Sequence, residues 1–238
     1  MNNITEPLRL AVGSHVAGSG QGCAMNVLSW ENGDRRITDY PDCSAKHLAV
    51  LVQTVNDRYC AHRDEQGRLC PACSVAVLAL AHRTVGTSGA SDEQIYAWTA
   101  ECLDSPSWGA VRFADDRGVD VLHRVADMYR RAASGAMPSV EEWSAARSAA
   151  RSATDPAARS AARSAAQSAA ESAAWSAAWY AAGYTAWSAA WSAAWSAVLM
   201  DYTHTAIDAW ERITGYTVPV VNDAAVSNAV ARMLEVSA

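Results

Sequence analysis

The chain has 238 residues, half of them hydrophobic, with a net charge of −6. An acidic balance of this size argues against a general polyanion binder, so nucleic-acid binding is not expected. The core-forming Leu, Ile, Val and Met lie mostly before residue 138 and after 198, while Ala inflates the apolar total between them.

In chain order, the opening Met-Asn-Asn-Ile-Thr-Glu has no basic region followed by an apolar run, so no signal peptide is expected. The expected location is cytoplasmic, and the six cysteines then read as thiols or metal ligands rather than disulfides. Leu8 to Val12 fits a brief strand, and Gly18 to Gly22 is too glycine-rich for regular structure. Apolar residues at helical spacing from Cys23 to Trp30 predict a helix with Cys23 in its first turn. Asn32-Gly33-Asp34 predicts a turn and Asp39 to Cys43 a loop. Ser44 is the expected cap of a helix from Ala45 to Arg58, with Leu48, Leu51, Val52 and Val55 on one face. Ser74 to His82 reads as a buried helix. Ser91 with Gln94 forms a capping box that opens a helix to about Leu103. Residues 104–115 look irregular, Val119 to Ala133 is amphipathic, and Ser139 with Glu142 is a second capping box.

From Trp143 the chain repeats a four-residue unit, x-Ser-Ala-Ala, almost without interruption to Leu199. Ala and the long x residues favour helix, with a break expected where Pro156 follows Asp155. Four residues advance a helix by about 400°, so successive x positions rotate by roughly 40° and wind around it. The stripe is mostly Arg, Asp, Gln and Glu at first, then Trp175, Trp179, Trp187, Trp191 and Trp195. Residues 172–200 carry no charge, which also admits a membrane span. After the repeat, an amphipathic pattern runs to Ile213, and Asn222 caps a last predicted helix.

The expected fold is all-α: a small helical domain over 1–136, the repeat helix over 137–213, and a short C-terminal helix within 214–238. Its expected role is non-enzymatic, with the tryptophan stripe binding a second copy of the chain or another protein.

Two constellations could carry chemistry. Cys23, preceded by a glycine-rich loop, would gain thiolate character from a helix N-terminus, with His15 or His47 as base and Asp39 as its orienting partner. This is the pattern of a thiol enzyme; the plainer reading is a small buried hydrophobe. Cys70-Pro-Ala-Cys73 has zinc-knuckle spacing, and Cys60 or His62 could complete four ligands for a structural zinc. Without a second Cys-x-x-Cys, the alternative is that Cys70 and Cys73 face the core.

At Gly13-Ser14-His15, Gly22-Cys23-Ala24-Met25 and Asp39-Tyr40-Pro41-Asp42-Cys43, the chain resembles a group of actinobacterial and phage-encoded proteins. These carry Gly-Ser-His, Gly-x-Cys-x-Met-Glu and Asp-x-Pro-x-Cys steps, often with an Ala-rich tract bearing Trp, Arg or Asp. Asn26 stands here where that group has Glu. The resemblance implies a setting, an actinobacterium or its phage, and no mechanism.

Overall fold

A computed structural model describes residues 9–13, 15, 21–114, 116–152 and 194–217. Their regular structure is helical, and among them strand pairing is limited to two isolated antiparallel bridges, Ala11 with Arg68 and Ser44 with Val85. The expected all-α class holds for the described residues. Most of the repeat, 153–193, and the predicted last helix lie outside them.

The described chain forms two compact units, one up to Gly89 and one from Ala90 to Tyr216. This division falls inside the 1–136 stretch expected as one domain, and it groups both flanks of the repeat with the helices before it.

The first unit holds α1 (Ala24–Glu31), α2 (Lys46–Arg58) and α3 (Pro71–His82), which pack against one another. Met25, Leu28, Leu48, Leu51, Leu69, Leu78 and Leu80 are fully buried in it. Three local choices differ from the sequence reading. Ser44 does not cap α2; its hydroxyl donates to Thr84 Oγ1 at 2.8 Å, and Ala45 holds the N-cap position. α3 starts three residues earlier than expected, because Cys70 takes the N-cap and Pro71 the first helical position. Proline suits that position, since its missing N–H would have no partner there anyway. Ser74 instead accepts the Leu10 N–H at 3.0 Å, which ties the segment before α1 to α3. The strand expected at Leu8 to Val12 is reduced to the Ala11 bridge.

The second unit holds α4 (Asp92–Asp104), α5 (Asp116–Ala133), α6 (Val140–Ser152) and α7 (Ala194–Thr214). The Ser91–Gln94 capping box forms in both directions, and Ser139 and Glu142 exchange hydrogen bonds in the same way. Gly135 and Gly215, both at positive φ, follow the ends of α5 and α7. The segment expected to be irregular contains a short 3-10 turn, Ala110–Phe113.

Aromatic side chains hold this unit together. Trp98 of α4 and Trp210 of α7 meet edge to face at 5.2 Å, both essentially unexposed. The Trp98 indole N–H donates to the Ala206 carbonyl at 2.8 Å, and the Tyr202 hydroxyl donates to the Cys102 carbonyl at 2.9 Å. On the other side, Trp143 of α6 packs edge to face on Tyr129 of α5 at 5.2 Å. Trp143, the first x residue of the repeat, and Leu199, the last, are therefore both buried in the same unit. Among the described residues, no helix is long and apolar enough to cross a membrane.

Candidate functional site

The first unit places Cys23 and Asp39 together. Cys23 is the N-cap of α1, and its backbone N–H donates to Asn26 Oδ1 at 3.1 Å. Asn26 Nδ2 in turn donates to Asp39 Oδ1 at 2.9 Å, and the Cys23 thiol reaches the same oxygen at 3.6 Å. Gln53 Nε2 donates to the Asp39 carbonyl at 2.7 Å, so α2 fixes the loop that carries the carboxylate. Asn26 thus closes the cap of α1 and orients Asp39 at once.

The chemistry of this arrangement differs from the sequence expectation. A helix N-terminus should lower a thiol pKa, and the Asn26 N–H does pull it down. Burial outweighs that effect, the Asp39 carboxylate adds to it, and together they push Cys23 up to about 12. The thiol is 2% exposed and stays protonated at neutral pH. His15 Nε2 is buried and finds no hydrogen-bond partner among the described residues. His47, the other candidate base, is pushed down to about 4, first by burial and then by Lys46.

A direct consequence is selective alkylation. In metal-free protein at neutral pH, iodoacetamide is expected to modify Cys23 roughly a thousandfold more slowly than an ordinary thiol, since the nucleophile is the thiolate. Cys70, partly exposed and shifted below the ordinary value chiefly by the Cys73 backbone N–H, should react first. Peptide mass spectrometry over a time course reads both rates, and rapid labelling of Cys23 would contradict its burial.

The sulfurs of Cys60, Cys70 and Cys73 form the other cluster, all within 4.8 Å of one another. Each has a distinct support. Cys60 follows the end of α2 and is buried, with its sulfur accepting the Cys70 N–H at 3.4 Å. Cys70 and Cys73 occupy the N-cap and third positions of α3, so one helical turn brings their sulfurs side by side. The partner segments are pinned by Leu69 N–H to the Leu10 carbonyl at 2.8 Å and by Arg63 Nε to the Cys60 carbonyl at 3.1 Å. Burial pushes the Cys73 thiol up to about 12, helped by hydrogen bonds to Cys60 and Cys70, while Cys70 moves the opposite way. Three sulfurs this close could hold a metal ion.

Of the four metal candidates read from the sequence, the structure unites three; His62 is exposed and is not in the cluster. Of the stripe residues, Trp175, Trp179, Trp187 and Trp191 lie outside the described residues, and Trp195 falls in the first turn of α7. The roles of Asn26 and Gln53 around Asp39 escaped the sequence reading. The Asn three residues after Cys23 was a usable signal, because a capping box joins those positions.

No protein-family model matches this chain, and no curated protein or solved structure matches it either.

Proposed function

We propose that the protein is a non-enzymatic interaction protein that associates with further copies of itself through the tryptophan-bearing repeat. The observation that supports this reading is the anchoring of both repeat flanks in one unit. Trp143 is packed on α5, and Leu199 to Trp210 are packed on α4. The chain thus leaves and re-enters the same unit at the two flanks of the repeat. A single straight helix through 143–199 would separate those anchors by about 85 Å. A unit of this length has a radius of gyration of only about 14 Å. The unit's own core is already filled by Trp98, Tyr129, Trp143 and Trp210. Each further tryptophan brings roughly 150–250 Å² of surface that is stable only when covered, and a contiguous apolar patch beyond a few hundred Å² marks an interaction surface. The Cys23 environment supports the non-enzymatic half of the reading, because a buried protonated thiol is a poor nucleophile.

Sedimentation velocity on the full chain tests this reading. The wild type is expected to be oligomeric, and a variant with Trp175, Trp179, Trp187, Trp191 and Trp195 replaced by alanine to be monomeric with unchanged helicity. A monodisperse wild-type monomer would sink self-association.

For the first unit we propose a structural zinc held by Cys60, Cys70 and Cys73. Thiolates at the start of a helix, fixed by backbone N–H groups, suit a borderline-soft tetrahedral ion. Metal analysis of the full chain should find one zinc per chain, lost in Cys60→Ser; zinc-free protein from zinc-replete cells overturns the assignment.

A further inference from the structure

We infer that the Cys60–Cys70–Cys73 site completes its coordination with a small thiol taken from solution. The inference rests on the zinc reading above and extends it to what the site binds.

Zinc in a protein is almost always four-coordinate, and a site with three protein ligands leaves its fourth position to an exchangeable group. The supply of sulfur and imidazole donors can be followed through the whole chain. It has six cysteines and six histidines, and all twelve are among the described residues. Cys102, His123 and His204 belong to the second unit. In the first unit, the Cys23 thiol is directed to Asp39, and His82 Nε2 sits 2.6 Å from Glu31. His47 is buried on α2, and Cys43 lies beside the Ser44–Val85 bridge. His15 and His62 also fall outside the group of converging ligand atoms. Among the described residues, three donors therefore converge at one point.

Burial says which side remains accessible. Cys60 is 3% exposed and forms the floor, whereas Cys70 and Cys73 are each partly exposed. The kind of ligand follows from softness and charge. Three thiolates make a soft donor set, in which a fourth thiolate is a better match than a hard oxygen anion. Two guanidinium groups are tied to the backbone of the site, Arg9 through the Leu69 carbonyl at 3.2 Å and Arg63 through the Cys60 carbonyl at 3.1 Å. Arg9 is also paired with Asp64 at 3.0 Å, so it is the Arg63 charge that favours an anionic ligand over a neutral one. In the exchange, a zinc–water bond breaks and a zinc–sulfur bond forms, and the incoming thiol gives its proton to solvent.

The test uses full-length, metal-free protein loaded with cobalt(II) under anaerobic conditions, with a phosphine as reductant so that no thiol is present. Adding 2-mercaptoethanol is expected to raise the sulfur-to-cobalt charge-transfer absorption by about one third, as three sulfur ligands become four. The visible cobalt bands should shift to longer wavelength, and the His62→Ala variant should behave as wild type. A spectrum that the thiol leaves unchanged overturns the inference while keeping the metal site. So does a His62→Ala variant with altered starting bands, which would make His62 the fourth ligand. Absence of any sulfur-to-cobalt absorption removes the metal site itself, and the inference with it.

Discussion

Replacing Trp210 by alanine is expected to remove about 3–5 kcal/mol from the stability of the second unit, the usual cost of truncating a fully buried tryptophan. The unit has little to spare, since native domains are stable by only about 5–15 kcal/mol. Trp210 is 1% exposed and meets the ring of Trp98, itself 0% exposed, edge to face at 5.2 Å. Trp98→Ala should cost as much and also removes the indole N–H that binds the Ala206 carbonyl. Trp98→Phe keeps most of the ring contact and separates the hydrogen bond, at about 1–2 kcal/mol. Because the rings touch, the double alanine variant should fall short of the sum of the single changes. Urea unfolding followed by circular dichroism reads all four variants. A Trp210→Ala protein that unfolds like wild type would mean that α7 is not built into the core on α4. The proposal of a repeat anchored at both flanks would then lose its support.

The parts of this fold that were legible in the sequence are those where one local rule acts unopposed. The Ser91–Gln94 and Ser139–Glu142 boxes formed as read because a hydroxyl and an amide or carboxylate three residues apart reach the free N–H groups of the helix end directly, and Glu142 does so even while pairing with Arg131. The start of α2 was misread because the Ser44 hydroxyl has a better partner 40 residues away, in Thr84, than in its own helix. Such a partner leaves no trace in local pattern. The cysteine cluster was legible in the Cys-x-x-Cys step, but the exposure of His62 depends on how the loop before Arg68 is tied down. There Asp64 accepts the Arg68 N–H at 2.8 Å and pairs with Arg9 and Arg68. Cys23 shows two effects in competition. Cys23 was read into the first turn of the helix and instead caps it, and the sign of its pKa shift is set by burial, which outweighs the helix end.

The same two buried groups make the stability of the first unit depend on pH from both sides. His47 is neutral in the fold, its pKa lowered from 6.5 to about 4 by burial and by Lys46. Below pH 6.5 the unfolded chain takes up a proton that the folded chain refuses, so stability falls with pH and the full loss is reached near pH 4. The shift corresponds to roughly 3 kcal/mol. Cys23 acts in the opposite direction. Its pKa is raised from 9.0 to about 12 by burial and by Asp39, so its contribution is complete below pH 9. It is lost as pH climbs towards 12, again by a few kcal/mol. A plateau between about pH 6.5 and 9 is expected, with a decline on each side. In metal-free protein Cys73, also pushed up to about 12, adds to the alkaline decline, as does Tyr40, which burial and Asp39 also raise. The informative quantity is therefore the difference made by each substitution rather than the total slope. His47→Gln should flatten the acid limb and leave the alkaline one, while Cys23→Ala should shallow only the alkaline limb. Urea midpoints between pH 4 and 11 resolve the two. An acid limb unchanged in His47→Gln would show that the imidazole is not held neutral in α2. An alkaline limb unchanged in Cys23→Ala would return Cys23 to the status of an accessible thiol, and with it the thiol-enzyme reading of this site.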